Sequence, residues 1–208
     1  MILSFETSTK AFSVSLLHEE ERVDLEIVRS AFHSQGIVGI VDFLLKRIGA
    51  SVNDVKEIYC GIGPGSFTGI RIGLTFANTL CEARGIPAAG ISSLDILAFG
   101  SGKWYNSVIS FIRSRKNEVY TASYRGGRRT SEYLALERDD FELFLCRENP
   151  GCVVASEEDI RSLALESALD GREVKFSFPW ARHAYPLAKL YGIRPEKFFL
   201  KPLYIRNF

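Results

Sequence analysis

The 208-residue chain lacks several features on which whole classes of protein depend. It contains four cysteines but no C-x-x-C pair, and Cys60 and Cys81 lie in apolar segments, where a thiol behaves as a small hydrophobic side chain. No apolar run approaches the about 20 residues that cross a bilayer. The 26 Lys and Arg residues and 25 Asp and Glu residues leave no strong basic field. We therefore expect reduced cysteines, no membrane role, and no tight binding of nucleic acid by this chain alone.

The beginning of the sequence, MILSFETST, is typical of a β-strand. It lacks the positively charged, apolar and small-residue regions of a secretory signal. We expect a cytoplasmic location.

Histidine is scarce, and its spacing argues against a metal centre. Two histidines can share a metal ion when they lie four residues apart on a helix, because their side chains then point to the same side. His33 is followed at that position by Ile37, and the other two histidines, His18 and His183, are distant in sequence. No serine or cysteine occupies a recognisable nucleophile setting. The sequence therefore predicts neither a metal site nor a protease.

Apolar periodicity predicts an α/β protein with two lobes. The first lobe is predicted to have strands at 2–5, 12–17, 23–28, 58–61 and 86–90 and helices at 34–48 and 66–84. The second is predicted to have strands at 108–112, 119–124 and 132–136 and helices at 140–146, 156–169 and 180–190, the last disturbed by Pro186. Each lobe should carry a mixed sheet that opens in antiparallel strands, with helices packed on it. A linker at 100–102 divides the predicted lobes, 1–100 and 101–208.

The most informative segment is the glycine-rich stretch from Gly61 to Gly73, GIGPGSFTGIRIG, which follows a strand and opens a helix. Backbone N–H groups in that setting can hold an anion. The stretch nevertheless lacks the third glycine of G-x-G-x-x-G and the lysine of a P-loop. Two interpretations stay open: a nucleotide-binding loop, or a tight turn in which Ser66 or Thr68 caps the helix. The first would use Gly63, Gly65, Ser66 and Thr68.

The predicted helices at 34–48 and 66–84 each present a face of small residues, which allows a neighbouring backbone to approach closely. On the first helix this face lies away from the apolar stripe and carries a phenylalanine. The neighbour of the second helix is either the protein's own sheet or another subunit. We predict partner contacts at six positions: Gly36, Gly39, Phe43, Gly69, Gly73 and Ala77.

Six segments together resemble one family: the glycine-rich stretch, the opening ILSFETST, HSQGIVGIVDFLL, ISSL, NEVY and the ending PLYIRN. They are similar to the bacterial TsaB family, also called YeaZ, and the resemblance spans Ile2 to Asn207. It implies the two-lobed, RNase H-like fold of the actin, sugar kinase and Hsp70 superfamily. It also implies a role in making threonylcarbamoyladenosine in tRNAs that read codons starting with A.

The resemblance further implies a non-catalytic subunit that dimerises with a similar catalytic subunit, TsaD, through helices of the N-terminal lobe. In that pathway an ATPase, TsaE, joins the assembly, and TsaC makes the threonylcarbamoyl adenylate donor. The chain is then expected to meet tRNA through the complex. From the two small-residue helix faces we also expect a homodimer when TsaD is absent. No cofactor is expected on the chain alone, and ATP or ADP at a junction with partner subunits is left open.

An independent actin-like ATPase or kinase is the alternative function. It would place Glu6, Thr7, Gly63 and Gly65 around ATP and magnesium. Arg113 stands where TsaB-like proteins usually have an aspartate, which weakens this alternative.

A cluster of basic residues in the second lobe has two interpretations: a patch that touches tRNA phosphates, or an ordinary solvated face of the sheet. It would comprise Arg113, Arg115, Lys116, Arg125, Arg128 and Arg129.

Overall fold

The computed structural model describes residues 1–28 and 34–205. The chain divides into two compact units. The first consists of Met1–Ser93 and Trp180–Leu203, and the second of Leu94–Pro179 with Tyr204 and Ile205. The predicted division after residue 100 therefore differs from the observed one, chiefly because the chain returns to the first unit near its end.

The first unit is built on a mixed sheet, as predicted. Its described residues form five strands in the order β3-β2-β1-β4-β5. The first three strands form an antiparallel meander, and the other two run parallel to β1. The strands are β1 (Ile2–Glu6), β2 (Ala11–His18), β3 (Glu21–Val28), β4 (Glu57–Gly61) and β5 (Ala88–Ile91).

Helices α1 (Ser34–Arg47) and α2 (Phe67–Arg84) pack on one face of this sheet. Alternate strand residues share a face, so Leu3 and Phe5 point into this core while the residues between them point to the opposite face. Ser66 caps α2, since its side chain accepts a hydrogen bond from the Gly69 N–H at 3.2 Å. Gly85 ends the helix in the left-handed conformation with φ of 63°. Both ends of α2 confirm the sequence prediction.

The second unit repeats this order of strands. After α3 (Ser93–Gly100), an antiparallel hairpin is extended by two short strands on one side and by two parallel strands on the other. Its strands are β6 (Val108–Arg115), β7 (Glu118–Arg125), β8 (Arg128–Arg129), β9 (Leu134–Glu137), β10 (Cys152–Ala155) and β11 (Glu173–Phe176). Its other helices are α4 (Arg138–Glu148) and α5 (Glu157–Ser162).

Two predictions in this region need correction. The strands β10 and β11 were not predicted, because each is only four residues long and lies between stronger helical patterns. Helix α5 was predicted to reach residue 169 but ends at Ser162. Ala164 adopts a positive φ of 49°, which a continuing right-handed helix does not allow.

The last helix, α6 (Ala184–Tyr191), belongs to the first unit and follows a 3₁₀ turn, Ala181–His183. This segment packs on the face of the first sheet opposite α1 and α2, where the Ala181 N–H donates to Ser13 Oγ at 2.8 Å. Pro186 does not disturb the helix as predicted, because it lies in the first turn, where N–H groups have no intrahelical partner. Within the two described ranges, no helix has the length and apolarity that a bilayer crossing requires.

Candidate functional site

Glu6 ends β1 with its side chain fully buried. Its two carboxylate oxygens accept hydrogen bonds from the Ser8 N–H at 2.6 Å and from the Ser93 hydroxyl at 2.7 Å. The Ser8 hydroxyl donates in turn to Ser93 Oγ at 2.8 Å. Gly61 makes room for this arrangement, because a Cβ atom there would overlap the Glu6 carboxylate. These four residues form a closed polar cluster, which we call the Glu6 cluster.

Burial raises the pKa of the Glu6 carboxyl above its ordinary value of 4.5, and the hydrogen bonds from Ser8 and Ser93 oppose that rise only in part. The folded protein therefore keeps this proton at pH values where the unfolded chain has lost it. The stability that this proton contributes is complete below pH 4.5. It is lost as the pH rises through the raised pKa.

The variant Glu6→Gln is expected to remove this pH dependence, since an amide of the same shape does not titrate. Urea unfolding of the wild type and the variant at a series of pH values from 5 to 8 measures it. The wild type should lose stability relative to the variant as the pH rises. Parallel stability profiles would show that Glu6 does not titrate in this range.

The glycine-rich loop is held against the turn after β1 by its own backbone. The Ser66 N–H, at the start of α2, donates to the Ser8 carbonyl at 2.6 Å, and the Ser93 N–H donates to the Gly63 carbonyl at 2.8 Å. Gly63 and Gly65 have φ values of 92° and 151°, a region that L-residues rarely adopt. A Cβ on Gly65 would also overlap the Ser8 carbonyl. These contacts support the interpretation of the loop as a tight turn with a capped helix.

The four predicted nucleotide-binding residues are not equally placed. Gly63 is buried and Gly65 is half-buried, whereas the side chains of Ser66 and Thr68 are exposed. Glu6 points into the Glu6 cluster rather than toward solvent. The sequence had marked Glu6 as a possible metal or phosphate ligand and had missed Ser93, which is 87 residues away along the chain. Nucleotide binding at this loop stays a prediction.

The small-residue face of α2 meets the protein's own β1–β2 turn. The Thr7 hydroxyl donates to the Gly69 carbonyl at 2.8 Å, and a Cβ on Gly69 would overlap the Thr7 carbonyl. A Cβ on Gly73 would lie 2.5 Å from Thr7 Oγ1, and Ala77 is fully buried. The predicted partner contact at Gly73 and Ala77 is therefore replaced in this structure by intramolecular packing. The glycines allow the helix to approach the turn this closely.

The outer surfaces of α1 and α2 carry three large apolar side chains that are more than half exposed. A groove of about 650 Å³ runs between the two helices, lined mainly by side chains of α2 and by Ile37 and Val38 of α1. Val38 and Phe67 are 57% and 54% exposed at its rim. Phe43, 60% exposed, and Gly39 lie on the solvent-facing side of α1, away from its buried stripe. Gly36, one turn earlier, is half-buried. This region, which we call the α1–α2 face, includes the predicted partner-binding residues that remain accessible.

A second buried carboxylate, Asp95, lies in the second unit and was missed as a polar centre. It accepts hydrogen bonds from the hydroxyls of Tyr124 at 2.9 Å and Tyr133 at 2.7 Å. Burial raises the pKa of Asp95, although both tyrosines lower it. The Arg129 guanidinium stacks on the Tyr133 ring at 4.0 Å from its centroid. The network anchors α3 to β7, and the distance of 29 residues between Asp95 and Tyr124 explains why no local pattern indicated it.

The proposed basic patch is partly neutralised by nearby acids. The backbone N–H of Arg113 donates to an Asp159 carboxylate oxygen at 3.3 Å, and its Nε lies 3.9 Å from the other oxygen. Arg129 Nη1 lies 3.9 Å from a Glu132 oxygen. An acid from α5 thus accompanies Arg113 in this structure. Contact of this surface with tRNA stays a prediction.

Among the described residues, no three His, Cys, Asp or Glu side chains lie together as a group that could ligate a metal. The prediction that the chain has no metal site rested on the spacing around His33, and that residue falls outside the described residues.

The two units share one strand order, an antiparallel meander followed by two parallel strands, with helices on the sheet. That repeated order defines the chain as a two-lobed α/β protein with the actin-like, RNase H-like fold of the sugar kinase and Hsp70 superfamily.

Known proteins give a more specific placement. The sequence model of a family described as TsaD, tRNA N6-adenosine threonylcarbamoyltransferase, matches residues 27–179. The chain is 34% identical to the tRNA threonylcarbamoyladenosine biosynthesis protein TsaB of Haemophilus influenzae, over 57% of this chain and 51% of that protein. Its identity to TsaB of Bacillus subtilis is 35%, over 60% and 55% of the two chains. The aligned region thus spans about half the length of these curated relatives.

A solved structure described as YeaZ from Pseudomonas aeruginosa superimposes with a TM-score of 0.77 at 25% identity, over 98% of this chain and 99% of that one. The family model matches most of the chain, so the chain belongs to the TsaD family that it describes, and the curated relatives and the solved structure to which it is similar are named TsaB and YeaZ.

Proposed function

We propose that this chain is a non-catalytic subunit required for threonylcarbamoyladenosine formation in tRNAs that read codons starting with A. It acts in the cytoplasm by dimerising with a TsaD-like catalytic subunit and supporting it, alongside a TsaE-like ATPase. The observation that carries the pathway assignment is the match to proteins named for tRNA threonylcarbamoyladenosine biosynthesis.

The non-catalytic role is supported by the residues that a catalyst would need. Glu6 is enclosed in its cluster, with both oxygens accepting hydrogen bonds from the protein. Ile37 stands four residues after His33 in the sequence, where a histidine pair that shares a metal ion on a helix would need its second member. Ser66 and Thr68 are the exposed polar side chains among the four predicted loop residues, and the Ser66 hydroxyl already accepts a hydrogen bond from the Gly69 N–H. A nucleotide held there would need additional groups from a partner subunit.

The subunit role is supported by the α1–α2 face. Three large apolar side chains are more than half exposed there, beside an open apolar groove. Large exposed apolar patches in soluble proteins commonly mark protein interaction sites. We therefore place the TsaD-like partner on this face, and a second copy of the chain on the same face when that partner is absent.

The partner assignment is tested by binding of the purified TsaD-like subunit from the same organism. Val38→Glu and Phe43→Glu should each weaken the complex by about 10- to 100-fold, because each would bury a charge in an apolar interface. Isothermal titration calorimetry measures the affinity, and size-exclusion chromatography with light scattering measures self-association. Phe176→Glu is the matched control, since Phe176 is 58% exposed on β11 of the other unit.

Equal affinities for all three variants would place the partner elsewhere on the chain. If the wild type forms no complex at micromolar concentrations, the subunit role itself is rejected.

The pathway assignment is tested separately, by mass spectrometry of tRNA nucleosides after depletion of this chain. Unchanged threonylcarbamoyladenosine levels would exclude the assignment.

A further inference from the structure

A second groove, separate from the glycine-rich loop and the α1–α2 face, lies on the opposite face of the first sheet. It has a volume of about 500 Å³, within the range of about 300–1,000 Å³ typical of small-molecule sites. Strand β4 and the chain before β5 form one wall, and α6 with the residues after it forms the other. We call it the β4–α6 groove. Its lining residues include Glu57, Tyr59, Pro87, Tyr185, Lys189 and Arg194.

Two tyrosines give the groove an aromatic surface. The rings of Tyr59 and Tyr185 meet edge to face, with centroids 5.3 Å apart and an interplanar angle of 61°. Tyr59 is almost completely buried, whereas Tyr185 is half-buried and borders the opening. An aromatic ring placed at the edge of a groove offers a face on which a planar ligand can stack.

A carboxylate stands beside these rings. The Tyr59 hydroxyl donates to one oxygen of Glu57 at 2.9 Å, which holds that carboxylate in place. The other oxygen receives no hydrogen bond from the described residues. Glu57 is half-buried, so this oxygen is a positioned acceptor for a donor group on a ligand.

Two cations border the same groove. Lys189, on α6, has its ammonium 5.8 Å from the centroid of the Tyr185 ring, and Arg194 follows the helix. Neither forms an ion pair with another residue of the described part of the chain. Both side chains are exposed, so together they can attract an anion without first breaking an ion pair.

We propose that the β4–α6 groove binds a nucleoside phosphate. The amino group of the base donates to Glu57, the base stacks on Tyr185, and Lys189 and Arg194 hold the phosphate. An anionic ligand without a ring would leave the aromatic wall unused, and a single amino acid would fill little of the volume. The same chemistry is offered by a free nucleotide and by a nucleotide within single-stranded RNA.

The test uses the full-length chain, without magnesium, and calorimetric titration with AMP, GMP, CMP, UMP, adenosine and ribose 5-phosphate. At least one base with an amino group should bind saturably with a dissociation constant below about 1 mM. UMP should bind more weakly, because uracil has no amino group to donate to Glu57. Adenosine and ribose 5-phosphate should each bind at least tenfold more weakly than the preferred nucleotide.

Three variants locate the site. The double change Lys189→Gln with Arg194→Gln should weaken nucleotide binding at least tenfold. Glu57→Gln should reduce the ratio of the affinity for the preferred nucleotide to the affinity for UMP. Lys201→Gln, which removes an exposed cation that does not line the groove, should leave binding unchanged. All altered side chains lie at the surface or the groove edge, and circular dichroism checks that the variants remain folded.

A trinucleotide with the preferred base at its centre distinguishes single-stranded RNA from a free nucleotide as the ligand. Tighter binding of the trinucleotide assigns the groove to RNA, and tighter binding of the mononucleotide assigns it to a free nucleotide. The proposal is overturned by the absence of saturable binding. It is equally overturned if ribose 5-phosphate binds as well as the nucleotides, or if the double variant binds like the wild type.

Discussion

Replacing Gly69 by alanine is expected to lower the free energy of unfolding by about 3 kcal/mol or more, a large share of the stability of an ordinary domain. The added Cβ would overlap the carbonyl oxygen of Thr7, which belongs to the backbone and cannot rotate away. Removing this overlap would require α2 to move away from Thr7. That movement would also break the 2.8 Å hydrogen bond from the Thr7 hydroxyl to the Gly69 carbonyl.

Urea unfolding followed by circular dichroism measures this loss, and Gly39→Ala is its matched control. Gly39 also lies within a helix, but nothing lies within 4 Å of a Cβ placed there. Since alanine is the better helix former, this variant should be more stable than the wild type by up to about 1 kcal/mol. If the two alanine variants changed stability alike, the close approach at Gly69 would not be the cause.

Replacing Asp95 by alanine is expected to lower the free energy of unfolding by about 3 kcal/mol. The change removes the acceptor of two tyrosine hydroxyls, and each unsatisfied buried group costs about 1–3 kcal/mol. Tyr124 is 1% exposed, so water cannot replace its lost partner, whereas Tyr133 is partly accessible. Burial of the charged Asp95 carboxylate, which raises its pKa, is itself unfavourable, and this offsets part of the loss.

Trp104 provides a local probe, because its ring lies 4.9 Å from that of Tyr124, so its fluorescence should follow unfolding of this region. The matched control is Asp139→Ala. Asp139 has a side chain that is 92% exposed, and its contact with Arg138 is worth little in water. The control should stay within about 0.5 kcal/mol of the wild type. An equally small effect of Asp95→Ala would mean that the tyrosine hydroxyls find other partners.

Much of the fold could be predicted from local patterns. Periods of two and 3.6 residues located the opening meander and both long helices of the first unit, and Ser66 and Gly85 marked the ends of α2. These features depend on neighbours within a few residues. Strands β10 and β11 were missed for the complementary reason: each has only four residues, and the long-range pairing of its backbone decides its conformation.

The candidate site was predicted less completely. The sequence marked Glu6 and the glycines as unusual, yet their roles depend on residues far along the chain. Ser93 is needed to satisfy the Glu6 carboxylate, and Thr7 is the neighbour that makes Gly69 and Gly73 necessary. The exposed positions Gly39 and Phe43 fit the predicted partner-binding face, since the spacing of α1 already separated them from the apolar stripe.

Family resemblance and the order of secondary-structure elements were thus readable from residue types and short spacings, because hydrophobic period and capping act locally. How the segment from Gly61 to Gly73 packs against its own chain was decided only in three dimensions. There the Ser8 carbonyl accepts the Ser66 N–H, and the Thr7 backbone lies where side chains on α2 would otherwise stand. The β4–α6 groove likewise exists only because the chain returns, after 180, to cover the far face of the first sheet.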